Sequence, residues 1–408
     1  MNSTITNKTV ILRVDINSPI DPITKTIIND NRIKKSIPTI KYLLDRKAKI
    51  AMIAHQGDTL DYQNLISLSE HAEKLSSHLG VEVKYIDDVC GPAAVSAVKA
   101  LKPGEIVLLG NLRYLSEEIS TFEDAVKLNP EEMLNTYLIR NLAPIADLYV
   151  NDAFAAAHRN APSMVAFQEL LPSAGGKLMT AEINALSKVM ENPDHPSIFV
   201  LGGAKISDAF QMMKQVLENG TADKILACGI TGHIMLMAKG YDIGSKNVKF
   251  IKDRSLDVFI KPAKEYLNNY PDKIIFPVDL AYEKEGKRQE VSIENLNVDE
   301  FCMDIGNKTV ELFKDELSKA GTIFVNGPPG VYENSLFEYG TKEVWKAIAK
   351  AKGYSVIGGG DTVSAAAKFI DTKDINYVCT AGGAMVRFLS GVKLPLIEAM
   401  KKAFSRKY

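Results

Sequence analysis

The stretch Tyr354-Ser-Val-Ile-Gly-Gly-Gly-Asp-Thr362 decides the kind of fold that this chain adopts. Its first four residues predict a buried strand, the three glycines a loop without side chains, and Asp361 with Thr362 the start of a helix. Such a loop lets backbone N–H groups approach an anion, and the first turn of the helix adds unpaired donors and the positive end of its dipole. The junction is therefore typical of phosphate binding in an α/β protein.

The carboxylate of Asp361 needs its own explanation. A carboxylate beside a phosphate is unfavourable unless a cation lies between them, so the pair indicates a nucleotide with Mg²⁺. The alternative is an ordinary strand-to-helix turn in which Asp361 caps the helix. A single glycine loop does not decide between these two interpretations.

The same alternation of short β-branched runs with helical periodicity extends along the whole chain, and it predicts parallel α/β sheets. The first series of strands is Val10 to Val14, Ile50 to Ala54, Val81 to Ile86, Ile106 to Leu109 and Leu148 to Val150. The second series is Ile198 to Leu201, Ile225 to Cys228, Ile274 to Phe276, Thr322 to Val325, Tyr354 to Ile357 and Tyr377 to Cys379. The prediction is two Rossmann-like domains, each with a parallel sheet flanked by helices.

A length of 408 residues also favours two domains over one core. The pattern breaks at Leu170-Leu-Pro-Ser-Ala-Gly-Gly176, before a helix that could connect the halves. We predict an N-terminal domain over 1–170, a connecting helix and hinge over 171–192, a C-terminal domain over 193–391 and a tail over 392–408. The amphipathic tail could pack on either domain, including back on the N-terminal one.

The composition is that of a soluble globular protein, with 46% hydrophobic residues, 24% charged residues and a formal net charge of −1. It provides no global basic field for nucleic acid or anionic lipid, and no long apolar window predicts a membrane span. The four scattered cysteines suit free thiols in a reducing compartment. We expect a cytoplasmic protein whose partners are small molecules.

Further loops in the second half follow predicted strands, at the edge where parallel α/β sheets bind ligands. Gly202-Gly-Ala-Lys205 places a cation at a glycine-rich helix start, and Asn326-Gly-Pro-Pro-Gly-Val-Tyr-Glu333 carries an amide and a carboxylate suited to ribose or phosphate. Thr380-Ala-Gly-Gly-Ala384 is a second glycine loop. No GxxxxGK[ST] or GxGxxG pattern is present, which disfavours a P-loop or nicotinamide site.

In the first half, basic side chains follow the strands. Because parallel strands end at one edge, these residues predict a basic pocket for a small phosphorylated acid, although each arginine alone could equally make a surface ion pair. The residues are Arg13, His55, Arg113 and Arg159, with Arg32 at a helix start.

Taken together, these motifs occur in the order found in phosphoglycerate kinases, and the chain resembles that family, its archaeal branch in particular, over nearly its whole length. The motifs are Arg13-Val-Asp-Ile-Asn17, Leu109-Gly-Asn-Leu-Arg113, Asn151-Asp-Ala-Phe-Ala-Ala-Ala-His-Arg159, Gly202-Gly-Ala-Lys205, Asn326-Gly-Pro-Pro-Gly-Val-Tyr-Glu333 and Gly358-Gly-Gly-Asp-Thr362.

The resemblance implies a site divided between the domains and closed by a hinge, in a monomer that transfers a phosphoryl group from 1,3-bisphosphoglycerate to ADP. The residues implied for binding 3-phosphoglycerate or 1,3-bisphosphoglycerate are Asp15, Asn17, Arg32, His55, Arg113 and Arg159. Those implied for the adenine nucleotide are Lys205, Asn326, Glu333, Gly358, Gly359, Gly360, Asp361 and Thr362, with Asp361 on Mg²⁺. Those implied for catalysis are Arg32, Lys205, Gly360 and Gly383.

Among several positions that depart from the family pattern, two lie where the family binds phosphate. Asp58 follows His55-Gln-Gly where the family has an arginine that binds the stable phosphate of the substrate, and Ala381 replaces a glycine whose backbone approaches the transferring phosphate. These changes leave two alternatives open: a related kinase for a different carboxylate or acyl phosphate, and a nucleotide-binding protein without turnover.

Overall fold

The computed structural model describes residues 5–57, 64–296 and 298–406. The chain forms two compact units, one containing the residues up to Ile183 together with the segment from Lys393, and the other comprising Asn184–Val392. The division falls inside one helix, Lys177–Met190. This helix lies within the segment 171–192 that the sequence analysis assigns to the connection.

The first unit is built on a six-stranded parallel sheet in the order β3-β4-β2-β1-β5-β6. Its strands are β1 (Thr9–Val14), β2 (Lys49–Ile53), β3 (Val83–Tyr85), β4 (Ile106–Leu108), β5 (Leu148–Asp152) and β6 (Ser173–Gly175). Its helices are α1 (Asn31–Leu44), α2 (Ser69–Leu79), α3 (Pro92–Ala100), α4 (Ser120–Val126), α5 (Tyr137–Leu142), α6 (Pro162–Val165), the first part of α7 (Lys177–Met190) and α16 (Pro395–Ser405).

The core of this unit forms where β-branched strand residues meet the apolar stripe of the first helix. Val10, Ile50 and Ile106 on the central strands are buried, and so are Ile33 and Ile40, which lie on one face of α1. Residues on one helical face can be buried together in this way, so the polar face of the same helix stays in water. The carboxyl ends of the strands are then left free to carry polar residues.

The second unit contains a six-stranded parallel sheet in the order β15-β14-β13-β7-β8-β9 and a three-stranded antiparallel sheet in the order β11-β10-β12. Its strands are β7 (Ser197–Leu201), β8 (Lys224–Ala227), β9 (Ile274–Ile275), β10 (Asp279–Lys284), β11 (Lys287–Ser292), β12 (Cys302–Ile305), β13 (Thr322–Asn326), β14 (Tyr354–Ile357) and β15 (Tyr377–Val378). Its helices, besides the end of α7, are α8 (Ile206–Glu218), α9 (Gly229–Lys239), α10 (Ser245–Asp253), α11 (Ile260–Asn269), α12 (Asn307–Lys319), α13 (Tyr339–Lys350), α14 (Gly360–Phe369) and α15 (Gly383–Leu389).

The two parallel sheets confirm the α/β fold class, whereas the small antiparallel sheet was not expected from the sequence. Its hairpin turns at Glu285-Gly286, where both residues have positive φ angles of 53° and 75°. Positive φ at both central residues is the geometry of a tight two-residue hairpin turn. Strand β11 is largely polar and exposed, so the run of hydrophobic residues that marks the other strands is absent from it.

The last helix, α16, packs against α6 and β6 of the first unit. The backbone N–H of Leu396 donates to the carbonyl of Ala157 over 3.2 Å, and Arg406 pairs with the carboxylate of Glu169. The tail is thus a structural part of the first unit. Among the described residues, no helix is both long and apolar enough to cross a membrane.

Candidate active site

In the first unit, the structure brings the basic residues that follow the strands into one cluster. Arg13 ends β1, His55 follows β2, Arg113 follows β4, Arg159 follows β5, and Arg32 stands at the start of α1. Burial holds the pKa of His55 well below its usual value, and the charges of all four arginines lower it further. Four separate segments therefore place cations around the imidazole of His55, as the parallel sheet predicts.

Buried carboxylates orient part of this cluster. Nη1 of Arg32 donates to Oδ2 of Asp15 over 2.7 Å, where the aspartate side chain is 6% exposed and that of the arginine 35%. Oδ1 of Asp15 accepts from the backbone N–H of Asn17 over 3.2 Å. The carboxylate is thus fully engaged, while the rest of the Arg32 guanidinium is left accessible to a ligand.

Arg159 has a buried guanidinium nitrogen for which the described residues provide no acceptor. Its Nε donates to Oε2 of Glu123 over 2.7 Å, but its Nη2 is buried and has no hydrogen-bond partner among the described residues. A buried donor that lacks an acceptor costs about 1–3 kcal/mol. An anionic ligand would satisfy it.

Two buried residues that the sequence analysis did not single out support the cluster. Asn111 accepts from the backbone N–H of Arg113 over 3.0 Å and of Gln56 over 3.1 Å, which ties the two strand-end loops together. Glu118 accepts from both the N–H and the hydroxyl of Ser163 at 2.6 Å. Burial raises the pKa of the Glu118 carboxyl, and the charges of Arg13 and Arg113 act against that rise.

The residue that departs most from the family pattern, Asp58, lies outside the described residues. The chain is described up to Gly57, whose backbone N–H donates to Oδ1 of Asn17 over 3.1 Å. The side-chain oxygen of Asn17 is therefore used to hold the loop that leads to Asp58.

In the second unit, the carboxyl ends of β7, β13 and β14 surround a pocket of about 230 Å³. It brings together most of the expected nucleotide and catalytic residues, and its wall includes Lys205, Asp208, Asn326, Gly359, Gly360, Asp361, Thr362 and Gly383. Gly358 is buried and lies outside this wall, with its carbonyl oxygen accepting from Nδ2 of Asn326 over 2.9 Å.

Close contacts between the glycine loops form the base of this pocket. The hydroxyl of Thr362 accepts from the N–H of Gly327 over 2.8 Å, and Gly327 has φ of 91° with its would-be Cβ only 2.2 Å from the carbonyl oxygen of Gly202. By contrast, a Cβ added at Gly360 or Gly383 would meet nothing within 4 Å. The glycine loops therefore pack backbone against backbone at Gly327 and Gly202, whereas the backbone at Gly360 and Gly383 faces the open pocket.

Lys205 and Ala381 differ in how they relate to this pocket. Lys205 is exposed immediately before α8, and no ion pair engages it among the residues that the structure describes. Its ammonium group is therefore available to a phosphate. Ala381 is 1% exposed and is not part of the pocket wall, so its methyl group does not line this pocket.

A second pocket, of about 260 Å³, adjoins the first and is largely apolar. Its walls are formed by Ile230, Phe250, Leu280, Phe301 and Val331, with Glu333 beside them, and it shares Gly203, Ala204, Pro328 and Asp361 with the phosphate pocket. An apolar slot beside a polar anion pocket suits a planar base joined to phosphates. Of the residues that line this pocket, the sequence analysis assigned only Glu333 and Asp361 to nucleotide binding.

A cluster suited to a small anion on one α/β unit and pockets suited to a nucleotide on the other match the two partners of a phosphoryl transfer, so fold and site are typical of the class of nucleotide-dependent phosphotransferases. Comparison with known proteins gives the family. The model described as "Phosphoglycerate kinase" matches residues 1–392, and the chain belongs to the phosphoglycerate kinase family. The identification of family and enzyme class from the sequence motifs is confirmed.

Individual relatives agree with this assignment over nearly full length. The chain is 41% identical to the phosphoglycerate kinase of Methanothermobacter thermautotrophicus, covering 98% of this chain and 95% of that one. It is 42% identical to the enzyme of Methanococcus maripaludis, covering 98% and 96%. The crystal structure of the phosphoglycerate kinase from Pyrococcus horikoshii OT3 matches with a TM-score of 0.87 at 39% identity, covering 100% and 98% of the two chains. The enzyme from Coxiella burnetii matches with a TM-score of 0.82 at 30% identity, covering 98% and 97%.

Proposed function

We propose that this chain catalyses the reversible transfer of a phosphoryl group between 1,3-bisphosphoglycerate and ADP, which yields 3-phosphoglycerate and ATP. The observation that carries the proposal is the cluster of Arg32, Arg113 and Arg159 around the buried ring of His55, in a chain of this family. A phosphorylated carboxylic acid supplies the several negative charges that such a cluster needs.

In this proposal, Arg159 and Arg113 bind the acid, and Arg32 faces the phosphoryl group that is transferred. Asp15 holds Arg32 by one nitrogen, so the guanidinium is oriented before the ligand arrives and loses little conformational freedom on binding. Transfer then requires in-line positioning and charge neutralisation after the two units close, and no covalent intermediate with the protein is involved.

The nucleotide is assigned to the two adjoining pockets of the second unit, with its base in the apolar slot and its phosphates against the glycine loops. Lys205 neutralises phosphate charge, and the N–H groups at the start of α14 donate to phosphate oxygens. The carboxylates of Asp361 and Asp208 both line the phosphate pocket. One or two carboxylates together with nucleotide phosphates are the ligand set that Mg²⁺ prefers in such sites.

The residues present therefore fit Mg²⁺, and Asp361 is the residue proposed to hold it. When bound, the ion would neutralise charge that develops on the phosphate oxygens. The exposed position of Asp361 at the start of α14 allows its carboxylate to reach a metal without a desolvation penalty.

A coupled assay of the purified protein tests the proposal. With millimolar 3-phosphoglycerate and Mg-ATP, multiple turnovers are expected, and a Lys205→Ala variant should lose most of them. No turnover with either pair of substrates, while the protein still binds Mg-ADP, would instead support a nucleotide-binding protein without catalysis.

An Asp58→Arg variant tests the acceptor. If 3-phosphoglycerate is the natural acceptor, restoring the family arginine should change kcat/KM by no more than about tenfold to a hundredfold, because one charge-assisted contact is worth about 1.5–3 kcal/mol. A gain well beyond a hundredfold would indicate that the unaltered chain acts on a different carboxylate.

A further inference from the structure

Arg13 differs from the other cations of the acid site in that it is buried beneath the site. It is 3% exposed, and His55 is 7% exposed. Because β1 and β2 pair in parallel with Arg13 opposite Ile53, the guanidinium reaches the first residues after β2. There its Nη2 lies 2.9 Å from Nδ1 of His55.

Hydrogen-bond chemistry determines the direction of this contact. A guanidinium has only donors and stays charged in proteins, so Nδ1 of His55 must be the acceptor. An imidazole that accepts at Nδ1 is neutral and carries its proton on Nε2. The contact is therefore compatible with one tautomer and one charge state only.

The orientation of Arg13 is itself held by two further contacts. Its Nη1 donates to the carbonyl oxygen of Val14 over 2.5 Å, and its Nε donates to the hydroxyl of Ser163 over 3.5 Å. That hydroxyl donates in turn to Oε2 of Glu118 over 2.6 Å. Arg13 therefore donates in two directions, to the ring of His55 and to the hydroxyl of Ser163, which donates in turn to Glu118.

The charges around His55 favour the same state. Burial and the four arginines of the cluster all lower the pKa of His55, and the two nearby carboxylates are already engaged, Asp15 by Arg32 and Glu118 by Ser163. Protonating the ring would add a fifth positive charge to the cluster. No hydrogen bond to Nε2 of His55 is present among the described residues, so its N–H is available to a ligand.

We propose that Arg13 is a positioning residue that holds His55 as the neutral Nε2–H tautomer, so that His55 offers the acidic ligand a directed N–H donor and acts neither as a base nor as a cation. The identity of the ligand rests on the proposed function, whereas the state of the ring does not. A neutral donor adds direction to the site without increasing the repulsion among four guanidinium groups.

Nuclear magnetic resonance of histidine labelled with ¹⁵N and ¹³C tests this directly, because the chain has only six histidines. A His55→Gln variant serves to assign the ring signals. In the unaltered protein, His55 should show an unprotonated Nδ1 and a protonated Nε2, and should not titrate between pH 8 and pH 5.5. An Nδ1–H tautomer, or titration near pH 6.5 as in a free imidazole, would overturn the proposal.

Variants then test the role of Arg13. In Arg13→Met, which keeps an apolar stem in the buried space, His55 should become a mixture of tautomers and its titration midpoint should rise; Arg13→Lys should restore part of the Nε2–H signal. Ser163→Ala removes one support of Arg13 without touching His55, and should give a smaller shift towards the mixture. An unchanged tautomer in folded Arg13→Met would overturn the proposal.

Kinetics give a second readout. Arg13→Met should raise the KM for 3-phosphoglycerate about tenfold, the value of one oriented hydrogen bond to a charged group, and leave the KM for ADP unchanged. A rise in both KM values would indicate a general structural role and contradict the positioning role. The magnetic resonance result needs no turnover, so a failure of the proposed reaction would leave the tautomer test intact.

Discussion

The two candidate sites bind anions by different means. The site in the first unit uses long charged side chains, which require counter-ions in the free protein: Asp15 holds Arg32, and Glu123 holds Arg159. The site in the second unit uses glycine backbone and helix starts, with one exposed lysine. Backbone donors carry no net charge and need no counter-ion, so this site can be open without internal ion pairs.

This difference indicates which kind of substitution each site tolerates least. A site of charged side chains should be sensitive to the identity of single residues, because each guanidinium supplies a specific contact. A site lined by glycine backbone should be sensitive to added side-chain volume, because a single methyl group can push two packed loops apart. Four predictions test this difference between the two sites.

The largest effect is expected for Arg32→Ala. If Arg32 contacts the transferring phosphoryl group, its loss should lower kcat by about 10³-fold or more, as for other arginines that stabilise such a transition state. Steady-state kinetics measure kcat, and calorimetry with Mg-ADP should show unchanged nucleotide affinity. Arg46→Ala, at the far end of the same helical segment and stacked on Tyr42, removes an equal charge and should leave kcat unaltered. A matching loss in Arg46→Ala would mean that net charge, and not position, matters.

Gly327→Ala tests the backbone site. Its Cβ would lie 2.2 Å from the carbonyl oxygen of Gly202, at a φ of 91°, so the free energy of unfolding of the second unit should fall by about 3 kcal/mol or more. Gly382→Ala is the matched control, since nothing lies within 4 Å of its added Cβ. It should keep full stability in chemical denaturation but weaken ADP binding, because Gly382 lines the phosphate pocket. Equal stability of the two variants would contradict the packing argument.

The second unit also contains a buried carboxylate, Asp304, in the wall of the apolar pocket. Nη1 of Arg288 donates to it over 2.9 Å, as does the N–H of Gly340 over 2.7 Å. Burial nevertheless raises its pKa to about 6. The folded state then binds a proton more tightly than the unfolded state, so the free energy of unfolding should fall by about 2–3 kcal/mol as pH rises from 4 to 6.

Denaturation curves at several pH values check this. Asp304→Asn should remove that part of the pH dependence, and Arg288→Met should move it to higher pH, because loss of the cation raises the carboxyl pKa further. Unchanged pH dependence in Asp304→Asn would show that another group is responsible.

The smallest effect is expected for Arg159→Met. Loss of one charge-assisted contact should weaken binding of 3-phosphoglycerate by about tenfold to a hundredfold, with ADP affinity unchanged. Arg140→Met removes an exposed arginine of the same unit and should leave both affinities as they are. Calorimetric titration with each ligand separates these outcomes, and an equal loss for ADP would contradict the separation of the two sites.

Much of the fold could be predicted because its signals are local. Val10, Leu12 and Ile50 stand in short β-branched runs that are typical of buried strands in a parallel sheet, and Ile33 with Ile40 marks one face of a helix. The site residues that follow the strands could each be placed at the carboxyl edge of their own sheet, as with His55 in the first unit and Gly360 in the second, because parallel strands end together.

Other features depend on segments that are distant in the chain. Phe250, Leu280 and Phe301 form one apolar pocket only because the antiparallel sheet and α10 pack beside the glycine loops. Glu118 carries no motif, and its importance comes from Ser163 and the arginines that surround it. No local sequence pattern predicts such contacts between distant segments.

Two parallel α/β units, the family and the residues at the ends of the strands could all be predicted from the amino-acid sequence, because periodicity and motif spacing are properties of neighbouring residues. The burial of Arg13 against His55, the greater exposure of Arg32 and Arg159, and the bare backbone that lines the phosphate pocket follow only from the tertiary structure. The physical reason is burial: whether a charged side chain reaches solvent, a partner or a ligand depends on what packs around it in three dimensions.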